Sequence, residues 1–244
     1  MTADLWTPPD EPDPSQIMDE AVADTRHGNY ERALLKLRWC YENALRYDPH
    51  LAGVRSSFLL GYWHDLGKKY PPALDALRQT RDQAEVICRE SNYAFHPFQD
   101  LASLNRQLGD RWRTAHLFKQ VSQADREAAA LIYGLAEPYL IEFGDFAACD
   151  PYLELQPRLG IAAEQYRLQV EFEADYDDEP HSPPKVARRF YLDDVTALIS
   201  LLIRNGRHAE AKQAYAIALE TIDDAEFRES LDGAMRGRLP ESLF

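Results

Sequence analysis

Apolar residues along this chain recur at helical spacing, and stretches of alternating apolar and polar residues with β-branched side chains are almost absent. The clearest stretch is SQIMDEAVADTRHGNYERALLKLRWCYENALRYDP, residues 15–49. Asp13, Pro14 and Gln16 fit the cap, first and third positions of a helix start. Ile17, Ala21 and Asp24 then step along one side until Gly28 permits a turn. A second helix is predicted from about Tyr30 to Tyr47, with apolar cover from Ala33, Leu34, Leu37, Cys40, Tyr41, Ala44 and Leu45. Asp48-Pro49 stops it and caps the next helix.

The same helix–glycine–helix unit returns in LAGVRSSFLLGYWHDLGKKYPPALDALRQTRDQAEVI, in FQDLASLNRQLGDRWRTAHLFKQV, more weakly in LIYGLAEPYLIEFGDFAACDPYL, and last in VTALISLLIRNGRHAEAKQAYAIALETI. The turn glycines expected are Gly28, Gly67, Gly109, Gly144 and Gly206, at spacings of 39, 42, 35 and 62. A helical array with an insertion before its last unit accounts for that series. Residues 157–174 read as an extra helix, Ser182-Pro183 as the start of another, and DDAEFRESLDGAM as a terminal capping helix.

GNYERAL, GKKYPPAL, GDFAAC and GRHAEA resemble the turn of tetratricopeptide repeats: a glycine, an aromatic two residues on, and an alanine three further. Gly28, Tyr30 and Ala33 match it outright. Gly67 to Tyr70 carries one extra residue, Trp112 is displaced in the third copy, and Cys149 and His208 replace the alanine and the aromatic in the last two. The resemblance spans about 190 residues and implies an all-α fold, a right-handed solenoid of about eleven or twelve helices in antiparallel pairs. The expected organisation is an acidic, disordered segment 1–13, repeats over 14–174, an acidic linker 175–182, and a C-terminal pair with its capping helix over 183–244.

In that family the first helix of each unit lines the concave face. Aligned on the turn glycines, Ser57 and His64, then Gln99, Ser103 and Arg106, then Asp193, Thr196 and Ser200 are expected there, with Arg106 as the plain anion handle. The lysine and asparagine with which some relatives grip a peptide carboxylate are missing from SQIMDEAVADTRHG.

Charge adds a second theme. Of a net charge of −14, residues 1–20 and 171–180 carry twelve, with six carboxylates and no base in each. A basic patch for phosphate binding is not evident, which argues against nucleic acid as a ligand. EFEADYDDEPHSPP, residues 171–184, has three readings: a cation site, a handle for a basic surface, or a solvated linker. Counted as a calcium loop from Asp175, it puts Pro180 where glycine is required and Val186 where glutamate is required. Mutual repulsion and the prolines favour the linker, while Asp175, Asp177, Asp178 and Glu179 keep the reading of a basic partner alive.

The three cysteines, Cys40, Cys88 and Cys149, lack metal or disulfide spacing and read as buried thiols. None of the seven histidines falls in an HExxH or HxH pattern, and His64 and Asp65, adjacent on a helix, point apart. Phosphate loops and nucleophile elbows are absent from the sequence. No apolar run reaches the ~20 residues of a membrane span, and no secretory leader is seen at the first residues. The expectation is therefore a cytoplasmic, non-enzymatic adaptor, without cofactor or metal, that binds a protein or peptide on a helical groove. Neutralisation of a basic toxin or nuclease and an enzyme with an unrecognised site stand as alternatives, and monomer and homodimer are both open.

Overall fold

In a computed structural model the described residues, 6–175 and 186–240, are all-helical and contain no strand. The first pair is α1 (Pro14–His27) and α2 (Tyr30–Tyr47). The Asp13 carboxylate caps α1, accepting from the Ser15 and Gln16 N–H groups at 2.9 and 3.3 Å, and Pro14 occupies a position that needs no donor. Such a cap is worth about 1 kcal/mol. Gly28 turns the chain at φ +82°, a conformation that costs other residues a Cβ clash. The Cys40 thiol reaches the Pro14 carbonyl at 3.6 Å and Lys36 reaches both Glu20 and Asp24 at 2.8 Å, so α2 runs back antiparallel along α1.

The second pair departs from the expected form. Its first helix is broken into α3 (Ala52–Ser56) and α4 (Phe58–Lys69), followed by α5 (Pro71–Glu90). The break is at Ser57, whose hydroxyl donates back to the Gly53 carbonyl at 2.6 Å and competes with the helical ladder. Gly67 is not a turn residue. It lies inside α4, where an added Cβ would stand 2.9 Å from the Cβ of Leu74 on α5. Here glycine sets the distance between two helices, and the turn is made by Tyr70, Pro71 and Pro72. The Trp63 indole crosses the same contact and donates to the Ala73 carbonyl at 2.8 Å.

Next come α6 (Phe95–Gln107) and α7 (Arg111–Ala124), turned by Gly109 at φ +76°, and then α8 (Arg126–Glu142), which contains Pro138. The unit expected after Gly144 is cut short. Its second helix, α9 (Phe146–Cys149), has four residues, because Asp150-Pro151 diverts the chain into a single 3₁₀ turn. The remaining elements are α10 (Leu155–Asp175), α11 (Ala187–Arg204), α12 (His208–Thr221) and α13 (Ala225–Ala234). Among the described residues, eleven of the thirteen α-helices have ten residues or more.

The chain divides into two compact units, Met1–Ala136 and Glu137–Phe244, and the division falls within α8. In the first unit Leu37, Leu59, Leu60, Trp63, Leu66, Leu77, Phe98 and Phe118 are fully buried. Before α1, the Trp6 ring makes a T-shaped contact with Trp39, centroids 6.2 Å apart. In the second unit Tyr191 is the hub, stacked on Phe227 of α13 at 5.8 Å and tilted against Tyr166 of α10 at 5.3 Å.

The three cysteines are buried. Burial pushes the Cys40 thiol up to about 12 and that of Cys88 to about 11, which makes both poor nucleophiles. Among the described residues no helix is long and apolar enough to cross a membrane, and no group of three or more His, Cys, Asp and Glu side chains could hold a metal ion.

Candidate functional site

Of the expected groove residues, those in the first unit keep solvent access. His64, Gln99 and Ser103 are half-buried, Ser57 marks the break before α4, and Arg106 is exposed at the end of the Gln99–Ser103–Arg106 stripe of α6. One Arg106 nitrogen donates to the Ser56 carbonyl at 3.0 Å, so the expected anion handle is tied to the end of α3. Beside it the Arg55 guanidinium clasps Asp100 with two bonds of 2.5 and 3.0 Å and lies 4.1 Å over the Tyr41 ring. This clasp ties α3 to α6.

In the second unit two of the three expected residues are buried. Ser200 is fully buried and donates to the Arg238 carbonyl at 2.5 Å, and Thr196 is buried and bonded to Leu192 of its own helix. The face that they were to line is covered by α13 and the segment after it, which Arg204 also holds through the Gly237 carbonyl at 2.7 and 3.0 Å. Asp193 alone remains half-buried, at the edge of a cavity of about 370 Å³ shared with Glu229 and Arg238. Asp175 is the exposed last residue of α10, whereas Asp177, Asp178 and Glu179 lie outside the described residues.

A different surface, between α10 and α11, has the features of a recognition site. Ala162, Tyr166, Leu168 and Phe172 of α10 face Ala187, Phe190 and Tyr191 of α11 across an apolar groove of about 420 Å³, and Asp194 stands at its margin. Leu168, Phe172 and Phe190 are each about half exposed, at 50%, 47% and 49%. The mouth is held by Glu173, whose Oε1 accepts from the Val186 and Ala187 N–H groups at 2.7 and 2.8 Å. A carboxylate at the C-terminus of one helix thereby serves the N-terminus of the next, where the helix dipole favours it. The Arg158 guanidinium clasps Glu137 at 2.6 and 3.0 Å, which ties the start of α10 to the end of α8. Burial pushes the Asp194 carboxyl above the ordinary carboxylate range, against the pull of the Arg158 charge. The signal that sequence reasoning passed over is the lack of sorting in α10, whose apolar residues fall all around the helix.

The groove thus has apolar walls and a carboxylate at its margin. No protein-family model matches the chain, and neither a curated protein nor a solved structure does.

Proposed function

We propose that this protein is a non-enzymatic adaptor of the cytoplasm, whose helix pairs stack in the manner of a right-handed tetratricopeptide solenoid and bind a partner protein. The observation that carries the reading is the α10–α11 groove, where three large apolar side chains are about half exposed beside one another. Clustered exposed apolar area of this kind is a mark of interaction surfaces. Two further features support it. The first-unit groove residues are polar and solvent-accessible, as a peptide-binding face requires. The helix-crossing glycine, Gly67, and the small buried residues Ala21, Ala33 and Ala73 are what close-packed helix pairs need.

The test is paired affinity capture with the wild-type chain and with Leu168→Ser/Phe190→Ser. A partner held by the wild type and lost with the variant, at unchanged melting temperature, is the expected result. Identical capture by both chains would remove the groove from the reading.

A further inference from the structure

The C-terminal half of α10 is built as one side of an interface. Only Leu155, Leu159 and Ala162 of its twenty-one residues are buried. From Ala163 to Asp175 every residue is half-buried or exposed, and Leu168, Val170 and Phe172 are 50%, 41% and 47% accessible. A helix of this length, about 13 residues, is marginal in water without tertiary packing. Among the contacts that hold it are the Tyr166–Tyr191 pair and the Glu173 cap on α11. One face is thus anchored and the adjoining face is apolar and wet.

Along the C-terminal half of α10, carboxylates outnumber bases. Residues 163–175 carry four carboxylates, Glu164, Glu171, Glu173 and Asp175, against the single base Arg167. Arg167 is divided between Glu164 and Glu171, each at 2.6 Å, and Glu173 is turned to α11. The last turn of α10 holds no base, so Asp175 meets the negative end of the helix dipole. On α11, Arg188 is drawn to Asp224 and Glu226 of the α13 end at 2.6 and 3.3 Å, Arg189 lies 5.7 Å over the Phe190 ring, and Asp194 lines the groove. Asp194 stands on the groove lining, and Glu171 and Asp175 lie on the last turns of α10 beyond Leu168.

From this juxtaposition of half-exposed Leu168, Phe172 and Phe190 with Glu171, Asp175 and Asp194, we infer that the α10–α11 groove receives a cationic amphipathic helix of a partner protein. The inference rests on the adaptor reading and names its ligand. A groove between two helices offers no sheet edge, so the occupant docks by its side chains: apolar residues one turn apart enter between Leu168 and Phe190, and lysine or arginine on the flanks meets the margin. The volume of about 420 Å³ is that of a pocket for more than one side chain. A second copy of this chain is the poorer occupant. A two-fold contact sets each margin against the same surface patch, and these margins are acidic on a chain of net charge −14.

Three labelled peptides of about 18 residues, roughly five helical turns, test this against the full chain by fluorescence anisotropy. One is an amphipathic leucine/lysine helix, one has the same leucines with glutamate, and one is the leucine/lysine composition in scrambled order. The leucine/lysine helix should bind at least about ten-fold more tightly than either other peptide. Raising the salt from about 50 to about 500 mM should weaken it. Leu168→Ser/Phe190→Ser and, separately, Asp175→Asn/Asp194→Asn should each weaken it about ten-fold or more while the circular-dichroism melt stays in place. Equal binding of the scrambled peptide would reduce the site to bulk charge and overturn the inference. Equal binding of the glutamate helix, lost in Leu168→Ser/Phe190→Ser, would overturn the cationic occupant and leave the adaptor reading standing. A dimer in sedimentation that Phe190→Ser dissolves would assign the groove to self-association and overturn the partner helix. Failure of all three peptides, with partner capture unchanged by the groove variant, would overturn both readings.

Discussion

The α1–α2 and α10–α11 pairs solve the same packing problem in opposite ways. Each is antiparallel: Glu20 and Asp24 meet Lys36 in the first, and Tyr166 and Glu173 meet Tyr191 and Ala187 in the second. The first pair draws its charges inward. Asp24 and Lys36 are both buried, and Asp24 accepts from Lys36 at 2.8 Å, from Arg32 Nε at 2.9 Å and from Asn29 at 3.4 Å. The second pair leaves Leu168, Phe172 and Phe190 half exposed, with Asp194 at the margin. The first pair satisfies its charges within itself, whereas the second leaves a cluster of apolar area in water.

The largest effect should come from breaking the closed pair. Asp24→Asn leaves Lys36 buried without its buried carboxylate partner and is expected to cost about 3–5 kcal/mol in urea unfolding. The double variant Asp24→Leu/Lys36→Met should recover most of that loss, since the penalty is for an unmatched charge. The same cluster sets an acid limit. Burial pushes the Asp24 carboxyl up, but hydrogen bonds from Arg32 and Lys36, the Lys36 charge and Asn29 outweigh it and hold the group at about 2. A carboxyl with a depressed folded value contributes stability above its unfolded value, near 4, and loses it as the pH falls toward 2. The stability of the wild type should therefore decline through that window more steeply than that of Asp24→Asn.

Two glycines of α4 give the next contrast. Gly67→Ala drives a methyl into Leu74 and should cost about 1–3 kcal/mol. Gly61→Ala meets nothing within 4 Å and should stabilise by about 0.5–1 kcal/mol. A neutral Gly67→Ala in thermal unfolding would show that the α4–α5 spacing is not set by this residue. On the open pair, Glu173→Ala removes two acceptor contacts from the start of α11 and should cost about 1 kcal/mol. The smallest effect belongs to the groove itself. Phe190→Ser and Leu168→Ser should each change stability by no more than about 0.5 kcal/mol. A larger loss would mean that the groove is core and would erase the contrast between the two pairs.

Where a helix boundary depends on neighbours in sequence, it was legible. Asp13-Pro14, Gly28, the limits of Tyr30–Tyr47 and Asp48-Pro49 are all local chemistry, and the extra helix and the capping helix near the C-terminus obey the same rule. Asp24 was legible too, placed on the inward side with Ile17 and Ala21. Its partner Lys36 was not, because a lysine on an apolar face reads as an error of phase until a buried carboxylate stands opposite. Gly67 misled because a glycine that separates two helices and a glycine that turns a chain look alike in sequence. The prolines at 71 and 72 were the stronger signal. Pro151 likewise announced that the helix after Gly144 would stop. Alignment on the turn glycines puts Thr196 and Ser200 in a groove, and only the return of residues 235–240 onto α11, a contact some 38 residues away along the chain, shows why they are buried. The α10–α11 groove was hidden because carboxylates dominate the end of α10 in sequence and mask the hydrophobic residues among them.

The distribution of indoles has a practical consequence. Trp6, Trp39, Trp63 and Trp112 all belong to the unit that ends at Ala136, and the unit that carries the α10–α11 groove has no tryptophan. Trp63, fully buried and bonded to Ala73, makes ultraviolet emission a gauge of the first unit alone. Tyrosine and far-ultraviolet dichroism also sample the second. Superimposable melts from emission and dichroism would mark one cooperative transition, and separated melts would mark two, without a label being attached. The same spectral silence lets a single tryptophan carried by a docked peptide report its own arrival in the groove.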